Sequence, residues 1–347
     1  MEKTLAVLKT KREKGFTIDY IQPKLEVGPN EVLVKVKNAS ICGTDVHIYD
    51  WNKWSDDNIT PPRIIGHEFC GEVIEIGKNV KSIKIGDFVS AETHIACGYC
   101  YMCKTGNKHI CQNMKIIGVH TDGAFTSYVV IPEENAWVNP KNLDPEIASI
   151  QEPLGNAVYT VLSDDIATKT VLVTGAGTIG LMAINVAKAC GASKIYVSEI
   201  NEMKAKLAKE MGADLVVNPL KDNLFEIIMD ETHGLGVDVG LEMSGNEKAL
   251  DQLLKSMKKR GRVSLLGIFD NNPTVNFNND IIFKGLKIYG ITGRLMFDTW
   301  YQLSALLEKN MLNLKPLITH RLKLNEIEKG IEEIKNGNAI KVILNIG

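Results

Sequence analysis

Apolar positions in the first part of the chain fall in short runs rich in branched residues: TLAVLKT from position 4, FTIDYIQ from 16 and EVLVKVKNAS from 31. Such runs predict β-strands, and EVGPNE between them supplies turn chemistry. GEVIEIG, GDFVSAE and FTSYVVIP continue the same pattern, so residues 1–150 are expected to be mostly β. Beyond Pro153 the pattern changes. TVLVTGAG, KIYVSEI and DLVVN predict buried strands, alternating with the helices IGLMAINVAKACGA and EMKAKLAKEMGA; VDVGLEMSG, RVSLLGI and LKIYGI follow as further apolar runs. Strands alternating with helices imply a parallel, doubly wound sheet over residues 151–293. From Arg294 the chain gives the helix FDTWYQLSALLEKN, a second helix capped by Asn325 with Glu328 three residues on, and a last strand, AIKVILNI. The fold class is thus α/β plus β.

At 347 residues the chain is longer than one core usually supports, which favours two domains. Forty basic and 42 acidic residues leave a formal charge of −2, which gives no global attraction to nucleic acid or to an anionic membrane. No segment approaches the apolar length that spans a bilayer, and the start MEKTLAVLKTKREKG does not read as a leader. A cytoplasmic protein whose partners are small molecules or other copies of the chain is expected.

Seven cysteines change the picture, because four of them fall within CGYCYMCKTGNKHIC. Cys97, Cys100, Cys103 and Cys111 form a C-x-x-C-x-x-C-x7-C array, which fits a closed, structural zinc site in a lobe over 94–112. An iron–sulfur cluster is the runner-up, although ferredoxin-type runs use a shorter last gap and a following proline. Gly175, Gly177 and Gly180 follow the G-x-G-x-x-G order between a strand and a helix, where backbone N–H groups can approach a pyrophosphate. Glu199 ends the next strand and can accept hydrogen bonds from a ribose diol, favouring NAD over NADP; Lys204 close by weakens that preference. Two further segments carry donor atoms: ICGTDVHIYDWNKWS, with Cys42, Thr44 and His47, and GHEFCGEVIEIGKNV, with His67 and Glu68.

The order of these motifs, C-x-T-x-x-H, then GHE-x-x-G-x5-G-x-x-V, then four cysteines, then G-x-G-x-x-G, resembles the zinc-containing medium-chain alcohol dehydrogenases over essentially the whole chain. The resemblance implies a GroES-like catalytic domain made from both ends, 1–150 and 294–347, with a Rossmann NAD-binding domain inserted at 151–293. It implies a catalytic zinc on Cys42, His67 and Glu68, with Glu152 as a second carboxylate serving proton movement or transient ligation. Two zinc ions per subunit, NAD and a homotetramer follow from the same resemblance. The cofactor set it implies comprises Gly175, Gly177, Ile179, Gly180, Glu199 and Lys204, together with Leu266, Gly267, Ile268, Ile291 and Thr292.

EPLGNAVYT, VDVGLEMSG, IIFKGLKIYGITGRLMFDTWY and ITHR look like the members of that family that oxidise L-threonine. The expected reaction takes L-threonine and NAD+ to L-2-amino-3-oxobutanoate, NADH and a proton. Thr44 would accept the hydroxyl proton and pass it toward His47, since imidazole exchanges protons near neutral pH. Arg294 is expected near the substrate carboxylate, because guanidinium binds carboxylate bidentately, and His94 is a further pocket candidate. Trp51 and Trp54 would wall the pocket or pack at a subunit contact. A 2,3-butanediol or polyol dehydrogenase of the same family is the nearest alternative. A zinc-stabilised protein contacting RNA through Tyr99, Tyr101, Lys104 and Lys108 is the remote one.

Overall fold

The computed structural model describes residues 2–23 and 25–346, which form two compact units, residues 1–152 with 318–347 and residues 153–317. The first unit is built on a seven-stranded sheet. Its main path runs Ala136–Val138, Phe88–Ala91, Glu68–Ile76, Glu31–Ser40, Lys341–Asn345 and Ile318–Lys323, with Tyr128–Pro132 pairing to Glu31–Ser40. Glu31–Ser40 is the hub of the sheet, and its register puts Ser40 opposite Glu68 on one side and Ile343 on the other. Val32, Val34 and Val36 on this strand bury against Phe69, Val73 and Phe125. The last strand of the chain therefore sits inside the first unit's sheet, which joins the two chain ends in one core. A three-stranded sheet, Thr17–Ile21, Thr4–Lys9 and Arg63–Ile64, completes the β portion.

The second unit holds a six-stranded parallel sheet in the order Leu215–Val217, Lys194–Ser198, Thr170–Thr174, Val237–Glu242, Met257–Leu265 and Lys287–Gly290. In chain order this is 3-2-1-4-5-6, the doubly wound arrangement that binds dinucleotides at the carboxyl ends of its strands. Val171, Leu172 and Val173 are wholly buried, as expected for a strand covered on both faces.

Two details differ from the sequence expectation. The second unit runs to Leu317, so residues 294–317 belong with the parallel sheet and the return begins at Ile318. The physical reason is apolar burial: in the helix Asp298–Glu308, Trp300 and Leu303 are fully enclosed, and Leu314 and Leu317 beyond it are also buried. The final helix, Ile327–Lys335, is preceded by a 3-10 turn over Leu324–Glu326, so Asn325 does not cap it. Glu326 instead accepts the backbone N–H of Lys323 at 2.9 Å, and Glu328 turns away to accept from Phe16 N at 3.3 Å.

Candidate metal centre and nucleotide site

Cys42 precedes the helix Gly43–Asp50, whose first turn carries Thr44 and Asp45. Asp45 closes the helix start by accepting the Cys42 N–H at 2.9 Å, so the thiol and the hydroxyl project from a fixed backbone. His67 and Glu68 lie where GHE enters the strand Glu68–Ile76. Their ligand atoms and the Cys42 sulfur all lie within 4.8 Å of one another.

The charge balance of this cluster favours a cation. Burial opposes protonation of His67, but the Cys42 sulfur and the carboxylates of Asp45 and Glu152 outweigh it and hold the imidazole up at about 10. Asp45 is itself fully buried, and burial pushes its carboxyl up to about 6. Its Oδ1 lies 3.8 Å from His67 Nδ1, the position of a carboxylate that orients a metal-ligating histidine. Glu68 Oε2 accepts from Ser40 Oγ and from the buried ammonium of Lys341, whereas its Oε1 is buried without a hydrogen-bond partner. One thiolate, one imidazole and one carboxylate, with an orphaned buried oxygen among them, fit zinc in a three-ligand site that keeps a coordination position open. Sequence reasoning missed Asp45 and Lys341. The C-x-T-D spacing, with an acid at the third helical position, was a usable signal for Asp45.

Glu152 is buried and accepts from Thr93 Oγ1 at 3.2 Å. His94 is held by the buried Glu92, which accepts its backbone N–H at 2.9 Å and lies 3.1 Å from its Nδ1. Exposure increases along the helix from the half-buried Cys42 and Thr44 to the exposed His47. The far end of that helix is fixed from outside: the His47 carbonyl accepts from Ser55 Oγ at 2.9 Å, and Lys9 Nζ donates to the Tyr49 carbonyl at 3.3 Å. Lys9 also lies 5.0 Å from the centre of the Trp51 ring, whose Nε1 donates to Asp56. Trp51 is thus part of the clamp on this helix, whereas Trp54 stands partly exposed.

In the lobe, Cys97, Cys100, Cys103 and Cys111 offer four sulfurs within 4.8 Å of one another. Their Sγ separations include 3.5 Å for Cys100 to Cys103 and 3.8 Å for Cys100 to Cys111, and all seven cysteines of the chain are free thiols. Backbone N–H groups of Cys97 and Asn113 point at the Cys111 sulfur, each at 3.3 Å. Burial opposes ionisation of Cys97, and donors from Asn113, Tyr99 and Cys100 overcome it, holding that thiol at about 6. Burial and the adjacent sulfurs push Cys103 up to about 12. Four sulfurs this close cannot all ionise unless a cation sits among them, which is the donor set of a closed zinc site.

The second unit holds the glycine loop between Thr170–Thr174 and the helix Thr178–Ala189, which includes Ile179 and Gly180. A Cβ at Gly180 would come within 2.1 Å of the Gly175 carbonyl, so only glycine lets the helix start this close to the loop. Glu199 is buried and accepts from Ala176 N at 2.7 Å and Asn201 N at 2.8 Å, which ties the glycine loop to the next helix. Beside it lies a cleft of about 320 Å³ whose cations are Lys206, Lys209 and Lys221, not Lys204. Lys204 sits in the first turn of the helix Glu202–Met211, with its N–H on the Asn201 cap. Leu266 and Gly267 donate their N–H groups to the Glu242 carbonyl, Ile268 stands exposed, and Ile291 N is bonded to Leu265 O just before Thr292. Arg294 is wholly enclosed, its Nη1 donating to Asn156 at 2.9 Å and its stem lying against Gly155. The expectation placed this cation beside a substrate carboxylate; in this structure its guanidinium is anchored on Asn156.

A parallel 3-2-1-4-5-6 sheet with a glycine loop, joined in one chain to a β unit with an open donor cluster and a four-thiol lobe, defines a zinc-dependent, dinucleotide-linked oxidoreductase. Residues 28–141 match the alcohol dehydrogenase GroES-like domain and residues 178–309 the zinc-binding dehydrogenase domain, and the chain belongs to this zinc-binding alcohol dehydrogenase family. It is 52% identical over 346 residues to the L-threonine 3-dehydrogenase of Pyrococcus furiosus, covering 99% of this chain and 98% of that one. Among solved structures, it is similar to the 2R,3R-butanediol dehydrogenase of Bacillus subtilis, with a TM-score of 0.90 at 30% identity over 99% of this chain and all of the other. An Escherichia coli alcohol dehydrogenase complexed with NADH aligns over the whole of both chains, with a TM-score of 0.90 at 28% identity. The family expected from the motif order is the family found.

Proposed function

We propose that this chain oxidises L-threonine with NAD+ to L-2-amino-3-oxobutanoate, releasing NADH and a proton. The observation that carries the reading is the Cys42, His67 and Glu68 donor cluster in a chain 52% identical, end to end, to an L-threonine 3-dehydrogenase. Zinc held by those three residues supplies a Lewis acid that makes the substrate hydroxyl a better proton donor, and NAD+ supplies the oxidant. The chain's own residues move the proton and hold the geometry. Thr44 Oγ1, 3.7 Å from the Cys42 sulfur, takes the hydroxyl proton, and His47, one turn further on the same helix and exposed, gives it up to solvent. Glu152 is proposed as a second carboxylate that assists proton movement, anchored by Thr93. Lys341 and Ser40 hold one oxygen of Glu68 and leave the other for the metal.

Glu199 favours NAD, because a 2'-phosphate beside its carboxylate would be repelled. His94, its ring oriented by Glu92, is the proposed polar contact for the substrate's charged groups. Four thiols in one lobe, none paired in a disulfide, suit a reducing compartment, and the cytoplasm is the proposed location. Among the described residues no helix is long and apolar enough to cross a membrane. A homotetramer is the proposed assembly, supported by an uncovered sheet edge at Lys287–Gly290 beside the exposed Phe277, Ile282 and Phe283.

The second reading, a 2,3-butanediol dehydrogenase, draws on the likeness to the Bacillus subtilis enzyme. Zinc-loaded protein assayed for NADH formation on L-threonine and on (2R,3R)-butanediol separates the two. The threonine reading expects the higher kcat/KM on threonine, and a higher value on the diol overturns it.

A further inference from the structure

At the carboxyl end of the strand Val237–Glu242 lies a carboxylate that the mechanism does not use. Glu242 is 0% exposed. Its side chain accepts from Ser244 N at 2.9 Å, from Gly245 N at 3.1 Å, from Ser244 Oγ and from Thr174 Oγ1 at 3.4 Å. All four donors are neutral, and among the described residues no ion pair to this acid is found; such a group is costly to bury unless its acceptor positions are filled. Its backbone carbonyl also accepts from Leu266 N at 3.0 Å and Gly267 N at 3.1 Å. One residue therefore ties together the ends of three neighbouring strands: Thr170–Thr174, which feeds the glycine loop, its own, and Met257–Leu265. The loops are in close contact around it. A Cβ at Gly267 would lie 2.4 Å from Glu242 Oε2, and one at Gly175 would lie 3.0 Å from Ser244 Cβ.

These are the strand ends at which a doubly wound sheet receives its dinucleotide. We propose that Glu242 is a positioning residue for the nicotinamide dinucleotide: it touches no part of the cofactor but sets the spacing of the glycine loop, the Ser244–Gly245 turn and the Leu266–Gly267 segment that receive it. The proposal rests on the dinucleotide reading of this unit and is independent of which alcohol is oxidised. Ser244 N, Ser244 Oγ, Gly245 N and Thr174 Oγ1 all converge on Oε1, while Oε2 shares only the Gly245 N–H at 3.2 Å, so a nearly isosteric glutamine either turns its NH2 into four donors or keeps them and sets that NH2 against Gly245 N.

The test is NADH binding to the zinc-loaded, full-length chain, measured by fluorescence titration without substrate. E242Q is expected to weaken NADH binding about tenfold, and S244A, which removes one of the donors, about threefold. The double variant E242Q/S244A should bind within about twofold of E242Q alone, because the hydroxyl acts through the carboxylate. In steady state the KM for NAD+ should rise in E242Q by more than kcat falls. A folded E242Q variant that binds NADH like the parent overturns the proposal; if E242Q does not fold, unchanged NADH affinity in S244A overturns it. A parent that binds neither NADH nor NADPH removes the dinucleotide reading and this proposal together. Intact NADH binding without threonine turnover counts only against the choice of substrate.

Discussion

Thr44 and His47 lie three residues apart on a helix that begins at Cys42, which puts both members of the proposed relay on one element. Replacing Thr44 with alanine removes the first acceptor and leaves the Asp45 cap, Cys42 and the dinucleotide unit untouched. Turnover on threonine is expected to fall about 100-fold or more, the scale of a lost general acid–base step, with zinc content and NADH affinity unchanged. Turnover within a few-fold of the parent, from protein loaded with the same zinc, would take Thr44 out of the relay. Thiols, imidazoles and glycines at fixed spacing were legible in the sequence because their chemistry lies in the residue type itself. Lys341 and Glu242 were not, since a buried acid or lysine is written with the same letter as an exposed one, and the burial of Asp45 was hidden in the same way although its capping position was not. What makes Lys341 part of the site is its pairing with Glu68, 273 positions away, which no local pattern carries. Arg294 shows the same limit: its letter carries the charge but not its full burial against Gly155 and Asn156.

At the scale of elements, strands and helices followed from apolar periodicity, and the misses lie at their ends. Asn325 preceded an acid at the right spacing for a cap, yet the chain used that position for a 3-10 turn. The cysteine lobe has little apolar support: besides the two-residue strand His94–Ile95 its regular pieces among the described residues are Tyr101–Lys104 and Lys108–Ile110, only Ala96, Met102 and Met114 pack on its buried sulfurs, and Tyr99 and Tyr101 stand mostly exposed. Its order must come from sulfur ligation, because so little apolar area is removed from water. Cys100→Ser is therefore expected to lower the zinc content from about two ions per chain to about one and to depress Tm, while the folded fraction still binds NADH and turns over. Metal analysis, calorimetry and active-site-normalised rates check this. A variant that is stable and holds two zinc ions but has lost catalysis would show that the lobe takes part in the chemistry.

For the whole molecule, the two-unit organisation was legible because β patterning gives way to alternating strands and helices at Pro153, whereas the point of return was not. Residues 294–317 were expected to return to the first unit, but they group with the parallel sheet, and Trp300, Leu303 and Leu317 in them are buried. The proposed assembly draws on what the second unit leaves exposed. Its sheet ends at Lys287–Gly290, where Ile288 is 39% exposed beside Phe277, Ile282 and Phe283, each more than half exposed. An open strand edge next to apolar side chains is a pairing surface that monomeric proteins blunt with charge. A second copy of the same edge satisfies it by two-fold pairing, the commonest way that identical chains associate. Ile288→Lys places a charge in that edge, three strands from the strand that feeds the glycine loop. The variant is expected to sediment at about half the parent's mass or less, with NADH affinity retained, as edge pairing is lost. If it sediments with the parent's mass, this edge is not the contact, and a parent that itself sediments as a single chain overturns the proposed assembly.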